Sequence, residues 1–285
     1  MNEKVKLKGH ESFSIREGWI TKGLYEINKN ENLFSEKNAT EILGMGTNMV
    51  KSLKYWLLTS RLIEESKKCK YELTELGNLI YKYDLYIENI FTLYMIHLQI
   101  VLNEEKALIW NMFFNHCNFK EFTKKECIEH IEYMLENDNK EYNKKLLLDE
   151  INICLKTYID EDKNSNPENN FTCPLTELNL IRKVARDKYQ RNNSNMEMLN
   201  EYVVYWVILK QCEERNSIKI EELLTEKNST AKILNLEKVE LNEYLEILKR
   251  KKLITINKTA GLNMVYINKR YTLEEIFKIV LGEEK

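Results

Sequence analysis

Glycine and proline are scarce in this chain: 285 residues hold only 8 Gly and 2 Pro. That argues against a sheet-rich fold, which needs many tight turns. An excess of charge of one sign is lacking too. The 43 Lys and Arg stand against 45 Asp and Glu, so the molecule as a whole is no polycation. Any nucleic-acid contact must come from a local face. No phosphate-cradling glycine loop is present, which disfavours an ATPase. The start, MNEKVKLKGHESF, is polar and charged and lacks the apolar run of a secretory signal. The most apolar stretch, Ile90 to Leu102, is too short to span a bilayer and contains His97 and Gln99. The expectation is a cytoplasmic chain without membrane contact. Six cysteines (Cys69, Cys117, Cys127, Cys154, Cys173, Cys212) are scattered without framework spacing and read as reduced thiols, mostly in the core. His116, Cys117, Cys127 and His130 are metal-capable, but their spacing matches no common zinc pattern. No metal, cofactor or catalytic residue is expected.

What is present is Leu, Ile, Glu, Lys and Asn in helical periodicity, within a 43% apolar composition. The fold class expected is mainly α with small β-hairpin wings: several winged helix-turn-helix units around a helical scaffold. Three regions follow: an N-terminal winged helix (1–83), a helical middle (84–195) and a C-terminal winged helix (196–285).

The first region carries the sharpest signal. Ile42 to Ile63 contains three positive charges and no acid, in a chain that is 31% charged. Phosphate repels carboxylates, which gives such a stretch a reason to exist. A short helix from Ala39 meets the turn Gly44-Met45-Gly46, and a second helix starts at Thr47, the layout of a helix-turn-helix. Ser35 is a plausible N-cap before this pair. Val50, Leu53, Trp56 and Leu57 should face the core. The opposite line, Asn48, Lys51, Ser52 and Tyr55 with Thr47 and Lys54 beside it, suits phosphate and base-edge contacts, and Arg61 follows. Leu62-Ile63 and Tyr71-Glu72-Leu73 read as two short strands. Lys67, Lys68 and Lys70 lie in or beside the hairpin tip, as a basic wing would place them. Thr74 can cap the helix after it.

GHESFSIREGWITKG, LGMGTNMVKSLKYWL and YELTELG resemble domain-of-unknown-function family 4007, and the similarity continues through WNMFFNHCNFKEFTKKE and CPLTELNLI. The resemblance implies an accessory protein of DNA sulfur modification (phosphorothioation) or a linked anti-phage defence system. A structural clamp is favoured for the first motif, with Arg16 paired to a carboxylate and Trp19 anchoring a helix. An acid–base or nuclease centre at His10-Glu11 is the weaker reading.

In the middle, Ile87 to Leu102 and Glu104 to His116 form an apolar helical pair. Thr123 and Glu126 look like a capping box, and Lys144 to Tyr158 like a further helix. Leu175-Thr176-Glu177-Leu178 echoes Leu73-Thr74-Glu75-Leu76, which leaves open a degenerate winged helix there. The last region repeats the helix-turn-helix layout over 217–253. LITINKT and NMVYI form a hairpin around Ala260-Gly261, and Thr272 caps a final helix. Its recognition-position helix carries Glu237, Glu240, Glu243 and Glu246, which repel phosphate. Glu237, Glu240 and Glu243 are therefore expected to face a protein.

The expected function is duplex DNA binding by a non-catalytic component of a modification or defence system. A protein-interaction adaptor for a modification enzyme and a transcriptional regulator are the alternatives. Proteins of the same gene cluster are the expected protein partners. Scattered cysteines predict a fold independent of metal and disulfide. Thermal melts with chelator or reductant should give the midpoint of the untreated protein, and a large fall with chelator would revive the zinc reading.

Overall fold

A computed structural model describes residues 4–67, 69–159, 172–258 and 263–282. The chain is predominantly helical, with small antiparallel sheets. It divides into two compact units. One holds residues 1–113 and 117–192, the other 193–285 with 114–116. The expected boundary at 83/84 therefore separates no compact units, because the first helices and the middle share one core. The later division falls at 192/193, close to the expected 195/196.

In the first unit, α1 (Trp19–Lys29) buries Trp19, Ile20, Gly23, Leu24 and Ile27, an apolar stripe at helical spacing. A 3-10 turn (Leu33–Ser35) precedes α2 (Ala39–Leu43). Ser35 is not the expected cap: its hydroxyl donates to Cys69 O at 2.5 Å, and Asn38 stands at the N-cap position. Gly44 ends α2 at φ 61, a left-handed conformation that suits glycine. Lys22 Nζ donates to Leu43 O at 2.8 Å, covering a carbonyl left open by the helix end. Next comes α3 (Thr47–Thr59), then the antiparallel pair β1 (Ile63–Lys67) and β2 (Lys70–Leu73). Thr74 caps α4 (Glu75–Tyr83) by accepting from Gly77 N, as expected.

Two further helices, α5 (Ile90–Val101) and α6 (Leu108–His116), follow. Every residue of α5 from Phe91 to Val101 is buried, the signature of a helix surrounded by packing on all sides. Thr123 and Glu126 form the expected capping box on α7 (Lys124–Asn137), which follows β3 (Glu121–Thr123). Helix α8 (Lys144–Tyr158) keeps the expected bounds. The echo at 175–178 proves local only: Thr74 caps a helix, whereas Pro174–Leu178 is a 3-10 turn with Thr176 Oγ1 donating to Cys173 O. Strands β4 (Ile181–Ala185) and β5 (Lys188–Arg191) close the unit in a sheet ordered β3-β5-β4.

The second unit has a related order of elements, with one more short helix and a closing helix. After α9 (Glu201–Cys212) come β6 (Ser217–Lys219), α10 (Ile220–Thr225), the short α11 (Thr230–Ile233) and α12 (Lys238–Arg250). Strands β7 (Ile254–Asn257) and β8 (Met264–Ile267) then pair, giving a sheet ordered β6-β8-β7. The Ala260-Gly261 turn lies outside the described residues. Thr272 caps α13 (Leu273–Leu281) in a capping box, as expected. In both three-stranded sheets the last strand lies between the other two.

Trp56 is fully buried on α3, and its Nε1 donates to Phe13 O at 2.9 Å. Trp56→Ala should cost about 3–5 kcal/mol as a large-to-small core change. A denaturant titration reads this directly, and a loss well under 1 kcal/mol would contradict the packing described.

Candidate nucleic-acid interface

The rotation of α3 decides which of its side chains face solvent, and the loop 8–13 sets that rotation. Gly9 lets this loop run against α3: a Cβ there would stand 2.4 Å from Tyr55 Cδ2. His10 is fully buried, and its ring lies among those of Tyr55, Trp56 and Trp110, at centroid distances of 5.9, 6.3 and 6.2 Å. Its Nδ1 accepts from Ser12 N at 3.0 Å, which leaves Nε2–H to donate to the Glu150 carboxylate of α8. The other oxygen of Glu150 accepts from Lys8 N at 2.8 Å. Phe13 O accepts from Trp56 Nε1 and, at 3.5 Å, from Ser52 Oγ.

This arrangement corrects two expectations. Ser52 is fully buried beneath the loop. The Tyr55 ring is enclosed by the loop, and its hydroxyl donates to Lys106 O at 2.6 Å. Burial, and then the Glu150 charge, push the Tyr55 phenol up. Neither side chain is presented to a partner on the outward face. That face of α3 instead runs through Thr47, Lys51, Lys54 and Leu58 at helical spacing, with Asn48 at its start.

Thr47, Asn48, Lys51, Arg61 and Lys67 are exposed. Lys51 lies 3.9 Å from Glu11, a long surface contact of small energetic weight. Lys54 is half-buried with its Nζ 4.6 Å from the centre of the Tyr71 ring. Lys70 pairs with Glu31. Lys68 lies outside the described residues. The hairpin also exposes Glu64 and Glu65, so the charge of its described residues is mixed. The carboxylate-free segment is α3 with Arg61 after it, and it stops where β1 begins, although Glu11 of the neighbouring loop lies against Lys51.

The first motif ties the loop before α1 to a distant helix and buries Trp19 at the start of α1. The carboxylate at its centre is Glu150, and it binds His10. The Arg16 guanidinium lies 5.3 and 5.6 Å from the Phe13 and Trp19 ring centres, and partial burial lowers its pKa. Beyond it, Arg16, Glu17, Glu88 and Glu177 line a cavity of about 790 Å³. Carboxylates outnumber cations there, which suits phosphate poorly. The buried His10 is not presented to a substrate in solvent.

The cysteines carry no nucleophile in this region. Cys117, Cys127 and Cys154 are buried. The bond to Cys117, together with burial, raises the Cys127 pKa, and burial raises that of Cys154. Such thiols stay protonated and unreactive. His130 turns its ring toward Phe119, at 5.2 Å. No group of three His, Cys, Asp or Glu capable of holding a metal ion occurs among the described residues.

In the second unit, Glu237 and Glu243 of the α12 region are exposed. Glu240 departs from the expected partner face: it is half-buried and accepts from Asn193 Nδ2 at 2.8 Å. Val239, 65% exposed, and Ile247 share a shallow groove with Glu243, Glu246 and Arg250. Among the described residues no helix is long and apolar enough to cross a membrane.

Comparison with known proteins gives a family and a fold. A family model described as "Protein of unknown function (DUF4007)" matches residues 7–280. Among solved structures, one described as magnesium ion-bound SspB superposes with a TM-score of 0.81 at 17% identity. The match covers 93% of this chain and 84% of that one. A second SspB crystal structure gives 0.80 at the same identity and coverage. No curated protein matches.

The buried pair yields a stability prediction. His10→Ala leaves the Glu150 carboxylate buried without its main partner and should cost about 3–5 kcal/mol. Adding Glu150→Ala should cost much less than the two single losses combined, because each change removes the same interaction. Additive losses in equilibrium unfolding would show that the two residues are not coupled.

Proposed function

The chain belongs to the DUF4007 family, and from that premise we propose that it binds duplex DNA through the outward face of α3. In this reading residues 1–83 act as a winged helix, with α3 as recognition helix and β1–β2 as wing. The protein serves as a non-catalytic component of a DNA modification or defence system. The observation that carries the reading is the exposure of Thr47, Asn48 and Lys51 on α3, with Arg61 just after it, on a helix that itself holds no carboxylate and is locked from behind by buried aromatics. Rigid backing favours binding, because little side-chain or backbone freedom is lost on contact. The SspB-like fold and the phosphorothioation setting implied by family resemblance support the system assigned.

Lys51 and Arg61 supply phosphate contacts, and Thr47 and Asn48 reach phosphates or base edges near the helix start. Lys54 is a lesser contributor, since its charge already lies over the Tyr71 ring. Lys67 contributes from the wing.

A second reading has its own support. Val239 and Ile247, flanked by Glu243 and Glu246, give α12 an apolar stripe with an acidic rim, suited to a protein partner and unsuited to phosphate. The two readings concern different units and are compatible.

Lys51→Glu with Arg61→Glu tests the main reading. Titration of a 20-base-pair duplex at several salt concentrations should show weaker binding. The log–log salt slope should flatten by about two, roughly one unit for each phosphate that is no longer neutralised. Wild-type affinity and slope in a normally melting variant would remove the DNA-binding assignment from α3.

A further inference from the structure

Among the described residues, three hairpins differ sharply in charge. The described residues of β1–β2 mix Glu64, Glu65 and Glu72 with Lys67 and Lys70, and strands β7 and β8 carry no charged residue. The β4–β5 hairpin is different. Arg182, Lys183, Arg186 and Lys188 are all exposed on it, against a single carboxylate, Asp187, in the turn. After Ile181, all four remaining residues of β4 are exposed, although strand side chains alternate between faces. Beyond Ile181 both faces of the edge strand β4 are therefore in solvent, while Tyr189 keeps β5 packed.

The ribbon is firmly mounted. Ile181 is buried at its base, Tyr189 stacks on Phe122 with ring centres 5.6 Å apart, and β5 pairs with both β3 and β4. Arg191 is spent on structure: its guanidinium donates to Cys117 O at 2.5 Å and lies over the Phe113 ring, and burial lowers its pKa to about 10. Lys188 pairs with Glu121, and Arg182 donates to Gln190 Oε1 at 2.7 and 3.2 Å. Lys183 and Arg186 make no ion pair among the described residues.

The neighbouring helix offers no competing surface for most of its length. In this order of elements α8 stands where a recognition helix would. It buries Leu147, Glu150, Ile151, Ile153, Cys154 and Leu155, and Glu150 holds His10. That helix is committed to the core, which leaves the hairpin as this region's exposed contact element.

We infer that the β4–β5 hairpin is a second duplex-DNA contact, a basic ribbon that grips phosphates through Lys183 and Arg186, with Arg182 in support. The inference rests on the reading of the protein as a duplex binder and adds a contact region to it. Exposed cations on the edge strand β4 and in the turn after it can reach phosphates along a duplex backbone. A phosphate polyanion matches this surface because its exposed cations outnumber its one exposed carboxylate, Asp187.

The test is Lys183→Glu with Arg186→Glu in the full chain, both exposed positions without a folding role. The duplex titration should show affinity about tenfold weaker or worse at low salt, and a slope flattened by about two, with an unchanged melt. Wild-type duplex affinity and slope in this variant, while Lys51→Glu with Arg61→Glu loses binding, overturn the hairpin contact and leave the α3 reading intact. Loss in the hairpin variant alone sustains the hairpin and overturns α3. A wild-type protein that binds no duplex overturns both. A defect confined to single-stranded DNA or RNA of the same sequence also overturns the duplex assignment.

Discussion

The buried contact between His10 and Glu150 is the constraint from which the outer surface of α3 follows. It ties a loop near the start of the chain to a helix 140 residues later. A carboxylate in such a place needs its oxygens satisfied, and the His10 ring and Lys8 N–H do this. Once the loop is held, Phe13 O accepts from Trp56, and the Ser52 and Tyr55 side of α3 is covered. What remains outward is the line through Thr47, Lys51 and Lys54. The motif is thus structural: it sets which side of α3 is covered and which faces outward.

Much of this was legible in the sequence. Long helices with one apolar stripe, such as α3, and caps with a chemical mechanism, such as Thr74, Thr123 and Thr272, stood where spacing and side-chain chemistry put them. Periodicity located the buried side of α3 through Val50, Leu53, Trp56 and Leu57. It could not reveal that a polar neighbour of that side, Ser52, and an amphipathic one, Tyr55, would be covered by a loop from elsewhere. Burial by a distant segment leaves no mark on local spacing. The same limit hid Glu150, which looks like a surface acid on α8 until His10 is placed against it.

Strand β4 escaped for the opposite reason. Its sequence, IRKVA, lacks alternation because nothing covers either face beyond Ile181. A strand is recognised by burying one side, and an edge strand exposed on both faces does not do so. The short strands β3 and β6 were hidden inside helix-start signals. The four-residue echo at Leu175 pointed toward a repeat, but through the wrong residues. The correspondence lies in strand order, β3-β5-β4 beside β6-β8-β7, and topology of this kind survives without matching side chains.

Repeated topology with diverged surfaces also explains why net charge near zero misleads as a guide to partners. Buried apolar positions are committed to folding, while exposed positions are free to differ from one element to the next. One helix presents cations (α3), one is absorbed into the core (α8), and one carries carboxylates around an apolar stripe (α12). Averaged over the chain these cancel to a formal charge of −2. Beyond a screening length of about 8 Å at physiological salt, a partner responds to the nearest patch and not to the sum. A balanced chain can thus hold a cationic face for phosphate and an acidic, partly apolar face for protein, provided the two lie on separate elements.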